Sequence, residues 1–381
     1  MIRFLNVVAV IDAASGGGAA ERSLQLTRAL ANEGVIPTLL TLDTGFTEPL
    51  KETDGARVVS LRCLQKRFLI PAPQRDKLAE IVRDADIVQL TNHWTLLNAM
   101  VYGMARKLGK PYIVCPAGAL PIFGRSRRLK KIYNLLVGKQ IVRNARGWVA
   151  ITKLERAQFA AYGVEPSRVT LIPNGVWADP FPQYDEAAFR RRFDLGAQPF
   201  ILFMGRLNPI KGPDILLEAF AQLKHAGDHH LVFAGPDEGL QRPLENLAAA
   251  RGIKSRVHFT GYVSGPDKAA AYHAAELVVV PSRQEAMSIV ALEAGACGKA
   301  VLLTDRCGFD EVASAGGGQV VAARPDAMAQ ALDRLLPDRE RLRAMGENLS
   351  ALVRARYTWP GAAQHYVRLF DSILKQAPCA S

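Results

Sequence analysis

The chain has 381 residues, which is too long for one ordinary hydrophobic core and suits two domains of about 150 to 200 residues each. Hydrophobic residues make up 49% of it and aromatic residues 7%, a composition typical of a soluble globular protein and not of a disordered or fibrous one. The formal net charge of +12 indicates anionic partners, namely nucleic acid, a phosphorylated substrate or the anionic face of a membrane.

The cysteines and the apolar runs indicate the compartment. Five cysteines are spread along the chain without C-x-x-C spacing, so the sequence predicts neither a zinc site nor a disulfide framework. The apolar N-terminus is short and leads into a Gly-rich turn, which predicts a first β-strand and not a signal peptide. No run approaches the roughly 20 apolar residues that span a bilayer. We therefore expect a cytoplasmic protein, with any membrane contact peripheral and on the inner face of the cytoplasmic membrane.

Strands and helices alternate through the first half of the chain. The pattern predicts strands over 4–11, 36–42, 58–61, 87–90, 112–115 and 147–151, and helices over 24–34, 77–83 and 96–108. Alternating β and α elements predict a parallel sheet covered on both faces, with ligands at the carboxyl ends of the strands.

A Gly-rich segment follows the first predicted strand and is expected to form a loop before a helix. Gly17 and Gly18 are candidate phosphate-binding positions, because a phosphate can approach backbone N–H groups where side chains are absent. A tight turn without a ligand is equally compatible with the pattern. A dinucleotide fingerprint needs G-x-G-x-x-G, but Glu21 occupies the third glycine position, so Asp43 after the next strand is only weak support for a nicotinamide cofactor.

Polar residues follow two other strands of the first half. Thr91, Asn92, His93 and Trp94 come after one of them, and His93 is a candidate residue of the acceptor site. A lone histidine beside a tryptophan is more often a packing residue, so both interpretations stay open.

Cations are frequent between residues 125 and 146. They are Arg125, Arg127, Arg128, Lys130, Lys131, Lys139, Arg143 and Arg146. Apolar residues interleave with them at Leu129, Ile132, Leu135, Leu136, Ile141 and Val142. This spacing predicts an amphipathic helix with a basic face, which suits anionic lipid headgroups or a lipid-diphosphate acceptor. A solvated cationic face is as compatible with it. Nucleic acid is not favoured, because aromatic residues are not interleaved with the charge and no recognition motif appears.

The chain changes character near residue 177. Residues 171–176 end a strand in a turn that contains Asn174, and the stretch from 177 to 185 is polar and Pro-rich. We place the boundary between two domains here. The second half then predicts strands over 200–204, 231–235, 257–259 and 277–280, and helices over 186–193, 215–223, 326–336, 339–356 and 363–376, the last after a break at Trp359 and Pro360.

A phosphate-binding loop is predicted between the first strand and the first long helix of the second half. Gly205 and Arg206 begin it, and Lys211 and Gly212 end it. Arginine supplies a planar fork of donors, lysine a compact charge, and the helix N-terminus adds its dipole. Together Arg206 and Lys211 predict a clamp for a diphosphate.

The stretch 278–307 is the second candidate binding segment. An apolar strand runs into Pro281 and Ser282, a helix is expected to open near 285–288, and another strand follows Gly298. Glu285 and Glu293 are eight positions apart, so on one helix both acids could point to the same side.

These acids need polar partners if they are buried. Ribose and sugar hydroxyls are suitable ones, together with backbone amides at the helix start, where Ser288, Ile289 and Val290 lie. Tyr262 and Val263 follow the preceding strand, and their main-chain groups are candidates to contact a base.

Taken in order, these motifs resemble the retaining glycosyltransferases of family 4. The resemblance covers nearly the whole chain and is strongest from 173 to 310. It implies the GT-B architecture, an α/β fold of two facing Rossmann-like domains with a cleft between them. It therefore predicts an acceptor-binding domain over 1–177, a nucleotide-sugar-binding domain over 178–358 and a C-terminal helix within 359–381 that packs back on the first domain. The motifs are the Gly-rich loop, Ile-Pro-Asn-Gly-Val at 172–176, Gly205-Arg206 with Lys211-Gly212, and Glu285-x7-Glu293.

The resemblance also implies roles. Arg206 and Lys211 would hold the donor diphosphate, Glu293 the ribose, and Glu285 would lie by the transferred sugar, while the Gly-rich loop would close over the phosphates. Two departures concern the sugar contacts. Ala117 stands where many members carry a histidine, and a common His-x-His pattern is replaced at Gln89, with His93 displaced by two positions.

The hypothesis is a retaining, metal-independent glycosyltransferase that uses a nucleoside diphosphate sugar, GDP- or UDP-linked, and no other cofactor. Fixed donors on Arg206 and Lys211 would stabilise the leaving phosphate without a metal. Family habit adds bacterial surface polysaccharide, such as lipopolysaccharide, as the expected product. A catalytically weakened sugar-nucleotide-binding or scaffolding subunit is the alternative suggested by Ala117 and Gln89. A nicotinamide-dependent oxidoreductase would leave Arg206 and Lys211 unexplained.

Overall fold

The computed structural model describes residues 1–44, 52–53, 55–122, 126–177, 184–224 and 227–375. The strands are β1 Arg3–Val7, β2 Ile36–Leu42, β3 Glu52–Thr53, β4 Ala56–Leu61, β5 Cys63–Gln65, β6 Ile70–Pro71, β7 Ile87–Thr91, β8 Tyr112–Cys115, β9 Gly147–Ala150, β10 Thr170–Leu171, β11 Phe200–Met204, β12 His230–Ala234, β13 Val257–Gly261, β14 Leu277–Val280, β15 Val301–Thr304 and β16 Gly318–Val321.

The α-helices are α1 Ala13–Asn32, α2 Arg75–Asp84, α3 Leu96–Lys107, α4 Arg127–Tyr133, α5 Lys139–Arg143, α6 Lys153–Gln158, α7 Glu186–Arg192, α8 Pro213–Ala221, α9 Gln241–Ala250, α10 Gly265–Ala274, α11 Ile289–Ala296, α12 Glu311–Ser314, α13 Pro325–Leu335, α14 Arg339–Arg356 and α15 Trp359–Lys375. Among the described residues, none of the helices has both the length and the apolar sequence needed to cross a membrane.

The chain divides into two compact units. The first unit contains residues 1–175 and 359–381, and the second unit contains residues 176–358. Each is built on a parallel sheet with helices connecting successive strands, so the predicted pair of Rossmann-like α/β folds is confirmed.

The sheet of the first unit has β1 near its centre. Over the described residues its strand order is β10-β9-β8-β7-β1-β2-β4-β3, with all neighbours parallel except β3 and β4. Val7 on β1 lies opposite Leu40 on β2 and Leu90 on β7, and all three side chains are buried. Such continuous apolar strands are stable because helices cover both faces of the sheet.

The last helix belongs to the first unit. Phe370 on α15 packs against Phe4 on β1, with 4.8 Å between ring centroids, and Tyr366 is fully buried beside it. The predicted return of the C-terminal helix to the N-terminal half is therefore confirmed. The helix starts at Trp359 and not at 363, because Pro360 in a first turn removes an amide that has no intrahelical partner there.

The sheet of the second unit is parallel throughout its described strands, in the order β13-β12-β11-β14-β15-β16. Leu202 on β11 lies between Val232 on β12 and Val278 on β14, and all three are buried. The direction of strand succession reverses between β11 and β14, and in the first unit it reverses between β1 and β7. In α/β sheets, ligands bind where the loops leave the carboxyl ends of such a strand pair.

The Gly-rich segment differs from its prediction as a loop. β1 ends at Val7, and residues 13–20 already belong to α1. The helix is broken at Gly17, whose φ of 57° and ψ of −147° lie outside the helical region and are readily adopted only by glycine. The glycines therefore form a kink in the first turns of α1.

The predicted basic helix is α4 and α5, joined by a π-helical turn, Asn134–Gly138. Arg125, where the prediction begins, lies outside the described residues. The predicted single apolar face is wrong, because the π-helical turn interrupts the 3.6-residue period. Ile141 and Val142 are buried, whereas four residues are exposed and are called here the apolar patch: Leu129, Ile132, Leu135 and Leu136.

Candidate functional site

The loops after β11 and β14 lie against each other in the second unit. Gly212, just before α8, has a φ of 68°, and a Cβ atom there would lie 2.2 Å from the carbonyl oxygen of Pro281. Arg283 fixes the same contact by donating to the Pro209 carbonyl over 2.7 Å and to the Asp214 carboxylate. The two predicted binding segments are therefore held side by side.

Lys211 and Glu285 meet where these loops touch. The Nζ atom of Lys211 donates to Oε1 of Glu285 over 2.8 Å, and the Ser282 hydroxyl donates to Oε2 over 3.1 Å. Glu285 lies in the loop ahead of α11, so the prediction of both acids on one helix is wrong. The helix begins only at Ile289, where Ser288 caps it. The structure thus places a cation and an acid in direct contact at the strand reversal.

Arg206 has an acidic partner that the sequence analysis missed. Its Nη1 atom donates to Oε1 of Glu238 over 2.8 Å, and Asn208 donates to Oε2 over 2.6 Å. The Asn208 side chain also accepts from the Lys211 amide over 3.0 Å. Both side chains of the Arg206–Glu238 pair are partly exposed, so a competing anion can reach the guanidinium.

Glu293 is buried on α11 and is held by two residues of α10. Lys268 donates through Nζ to Oε1 over 2.5 Å, and the Tyr272 hydroxyl donates to Oε2 over 2.6 Å. Burial, followed by the charge of Glu293, raises the pKa of Tyr272 well above its ordinary value, so the phenol remains a hydrogen-bond donor.

The start of α11 supplies backbone amides. Ser288 is buried and its hydroxyl accepts from the Ala291 amide over 3.2 Å. The amides of Ile289 and Val290 are in the first turn, where an α-helix provides no internal acceptor. Near the end of β13, Tyr262 is exposed and Val263 is buried.

The candidates of the first unit have other surroundings. Gly17 and Gly18 lie in the kinked first turns of α1, and Gly18 is exposed. His93 is buried, its Nε2 atom is 2.9 Å from Oδ1 of Asn134, and aromatic rings enclose it. Burial lowers the pKa of His93 to about 4, so near neutral pH its ring is uncharged.

Asn174 is buried as well and is bonded to a buried arginine. Its Oδ1 atom accepts from Nη1 of Arg22 over 2.8 Å. The same guanidinium donates to the carbonyls of Pro173 and Ile172 and to the hydroxyl of Tyr366, each over 3.2 Å. Arg22 therefore ties α1, the 172–174 turn and α15 together.

The two positions that depart from the family pattern are also internally bonded. Ala117 has a φ of 50°, and the neighbouring Gly118 amide donates to Glu155 over 2.5 Å. Burial raises the pKa of Glu155, and two backbone amides oppose that shift. Gln89 donates to Asn6 over 3.2 Å and to Thr91 over 3.1 Å, inside the unit.

The missed residues had sequence signals of modest strength. Glu238 follows β12 after a Gly-Pro-Asp turn, at the same carboxyl edge as Arg206. Lys268 and Tyr272 are four positions apart on α10, so they share one helix face. Nothing in the sequence shows that this face meets Glu293, since that contact depends on the packing of α10 beside α11.

Two family models match the chain. The model described as "Glycosyl transferases group 1" matches residues 185–351, and the model "Glycosyltransferase Family 4" matches residues 16–179. Curated relatives include the D-inositol 3-phosphate glycosyltransferases of Salinispora tropica, 34% identical over 75% of this chain and 68% of the relative, and of Frankia alni, 32% identical over 76% and 75%. The match to the Nocardia farcinica enzyme of the same name, at 36% identity, spans 62% of this chain and about half of that relative, 54%.

Solved structures with the same fold cover nearly the whole chain. Sucrose-phosphate synthase from Thermosynechococcus elongatus superposes with a TM-score of 0.80 at 24% identity, covering 98% of this chain and 99% of that one. Anabaena Alr3699/HepE, in complex with UDP and glucose, gives 0.82 at 18% identity, covering 98% and 100%. WaaG, described as a glycosyltransferase of lipopolysaccharide biosynthesis, gives 0.70 at 20% identity, covering 99% and 100%.

Proposed function

This chain belongs to the group 1 glycosyltransferases of family 4, and we propose that it transfers a hexose from a nucleoside diphosphate sugar to a glycan or lipid-linked acceptor. The observation that carries the proposal is the contact of Lys211 with Glu285 at the strand reversal of the second unit. There a phosphate-binding cation and a sugar-positioning acid lie within one hydrogen bond of each other, next to the amides that begin α11.

The proposed chemistry follows from charge. Breaking the anomeric bond places negative charge on the departing phosphate, and Arg206, Lys211 and the amides of α11 are donors that stabilise it. The acceptor hydroxyl attacks from the face that the phosphate leaves, and its proton passes to a departing phosphate oxygen, so configuration is retained. Glu285 positions the sugar through its hydroxyls.

We propose that transfer needs no metal ion, because Arg206 and Lys211 already supply two positive charges for the diphosphate. The only Asp-x-Asp triplet of the sequence, at 84–86, spans the end of α2 and the start of β7. It lies at the amino edge of the first sheet, where Asp86 accepts from Arg3 over 2.7 Å. Those acids face the opposite edge from the strand reversal.

UDP-sugars are the first donors to test, since Alr3699/HepE is described in complex with UDP and with UDP-glucose. GDP-sugars are the second class. For the acceptor, the names of the relatives suggest D-inositol 3-phosphate, and the charge of +12 suits a phosphorylated compound. A lipid-diphosphate glycan of surface polysaccharide synthesis is the other acceptor class.

The experiment combines a binding panel with a product assay. Thermal shift with UDP, GDP and ADP identifies the nucleotide, because a ligand at about 100 times its dissociation constant adds about 2.7 kcal/mol of stability. With the matching sugar donors and each acceptor class, release of nucleoside diphosphate is then measured with and without a chelator. We expect release to survive chelation and NMR of the product to show a retained anomeric configuration. Binding of NAD with no nucleoside diphosphate binding would refute the proposal.

A weakened, sugar-nucleotide-binding subunit is the second candidate, favoured by Ala117 in a loop fixed by Glu155. The same assay separates the two. Tight donor binding with no nucleotide release for any acceptor would favour the subunit.

We also propose that the first unit docks on the cytoplasmic face of a membrane through 125–146. The apolar patch is exposed, reaching 80% at Leu135, and cations lie between and after its members. Apolar insertion together with attraction to anionic headgroups is the combination that holds peripheral helices on bilayers. Sedimentation with vesicles of phosphatidylcholine, with and without phosphatidylglycerol, tests this. Leu135→Ser with Leu136→Ser should abolish binding to the anionic vesicles, and equal sedimentation of this variant would exclude the patch.

A further inference from the structure

Glu293, Lys268 and Tyr272 form a buried polar cluster in the second unit, here called the α10–α11 cluster. Each oxygen of the Glu293 carboxylate accepts one bond from α10, over 2.5 Å from Lys268 and over 2.6 Å from Tyr272. Glu293 and Tyr272 are buried and Lys268 is partly exposed. The orientation of the carboxylate is therefore set by two partners on a neighbouring helix.

The cluster lies close to the edge of the sheet where the strands end. Lys268 is in the first turn of α10, which begins after the end of β13, and Glu293 is in the second turn of α11, which begins after the end of β14. Helices in this fold start at the carboxyl edge, where ligands bind. A buried ion pair is weak in its own right, because the cost of desolvating both charges offsets most of their attraction. Its stability contribution is thus a poor reason for its presence at this edge.

The remaining hydrogen-bonding capacity of Glu293 defines a ligand group. An ionised carboxylate has about four acceptor positions, two on each oxygen. Lys268 and Tyr272 occupy one position on each oxygen. One position on each oxygen then remains, and the group that donates two neighbouring O–H bonds to one carboxylate is a vicinal diol.

We propose that Lys268 and Tyr272 are positioning residues that orient Glu293 toward both hydroxyls of a ribose, so that the enzyme discriminates ribonucleotide donors from deoxyribonucleotide donors. This inference rests on the proposed function, because it concerns the nucleotide of the same donor. Lys268 and Tyr272 act through Glu293, so their replacement affects ligands that carry the hydroxyls and spares ligands that lack them.

The test is a set of dissociation constants, measured by calorimetry for UDP and for its 2′,3′-dideoxy analogue. For the unaltered protein we expect the dideoxy analogue to bind about 10 to 100 times more weakly, because an acceptor prepared for two donors is left without them. In Lys268→Met and Tyr272→Phe this ratio should fall toward one, with the affinity for the dideoxy analogue nearly unchanged. Lys268→Arg keeps the cation and should restore most of the ratio.

Two controls separate positioning from structural damage. Lys254→Met alters an exposed lysine of the same unit and should leave both constants unchanged. In a Glu293→Gln background, Lys268→Met should have no further effect on the ratio. A melting temperature for each variant identifies loss of folding, and Tyr272→Phe retains the buried ring.

The outcomes are distinct. A ratio that stays at the wild-type value in Lys268→Met and Tyr272→Phe, or one that is near one in the unaltered protein, overturns this inference and leaves the proposed function standing. Equal weakening of both ligands also overturns it, since that is the signature of a merely structural role. If the unaltered protein binds neither UDP nor GDP nor ADP, the proposed function fails and this inference fails with it.

Discussion

The two strand reversals of this molecule are alike in topology and opposite in chemistry. In the second unit, cations and acids at the carboxyl edge pair with each other and remain partly accessible, as Arg206 and Lys211 show. In the first unit, the polar residues near the reversal are buried and bonded within the unit, as His93 and Asn174 show.

The difference is one of exchangeability. A partly exposed ion pair contributes little net energy, so a ligand can replace one partner at small cost. A buried polar group without its partner costs about 1 to 3 kcal/mol, so its bonds are kept. The same residue types therefore indicate a ligand site in one unit and structural support in the other.

The largest effect should come from the structural side of this comparison. Arg22→Met removes donors to the 172–174 turn and to Tyr366, and it leaves Asn174 buried without its guanidinium. We expect the free energy of unfolding of the first unit to fall by about 3 to 5 kcal/mol. Chemical denaturation followed by circular dichroism measures it. Arg83→Met on α2 changes an exposed arginine and should stay within about 0.5 kcal/mol. Equal stability of both variants would refute the role of Arg22.

Next in size is the loss of the phosphate-binding lysine. Lys211→Ala should lower kcat/KM for the sugar nucleotide by about 10² to 10³, the usual effect of deleting one donor to developing negative charge. The unfolding free energy should change far less, since the Lys211–Glu285 pair is partly exposed. Steady-state kinetics and denaturation are measured side by side, with Lys254→Ala as the lysine control. Unchanged kcat/KM would remove Lys211 from the donor site.

His93 tests the buried chemistry through pH. Its folded pKa of about 4 lies below its ordinary value of 6.5, so the unfolded chain binds the proton first and stability declines as pH falls from about 6.5 to 4. The full contribution is about 3 kcal/mol at neutral pH. Asn134, Tyr133, Tyr162 and Trp94 surround the ring, and Lys130 lies over Trp94, so no carboxylate is among its recorded contacts within the described residues.

His93→Gln should flatten this dependence, because glutamine does not titrate. The measurement is the unfolding free energy of both proteins at a series of pH values, and only the difference between them is interpreted, since carboxylates titrate in both. Parallel curves would contradict the low pKa of His93.

The sequence predicted the fold well, because its strongest signals are local. Buried strands such as β2 and β14 are continuous apolar runs, and alternation with helices determines a parallel sheet. The elements that were wrong involve local exceptions to periodicity. Gly17 breaks α1 from within, and a π-helical turn divides the basic segment after Tyr133.

The site was predictable only in part. Arg206, Lys211, Glu285 and Glu293 were found because motif spacing identifies them. Their partners were not, because a contact between residues far apart in sequence depends on how helices and loops pack. Glu238 is an example, since it is 32 positions from Arg206 and has no motif of its own.

Glu238 also gives the smallest and most discriminating prediction. It accepts from Arg206, so it competes with a phosphate for the same guanidinium. Glu238→Gln keeps the shape and removes the charge, and affinity for UDP should rise about 1.5- to 5-fold, the range of an exposed ion pair. Glu218→Gln is the matched control, since it removes a similar exposed pair with Arg251 over 2.9 Å and should leave affinity unchanged. If calorimetry instead shows weaker binding in Glu238→Gln, then Glu238 holds Arg206 in its binding position and the pair is not exchangeable. The second unit would then share the fixed character of the first.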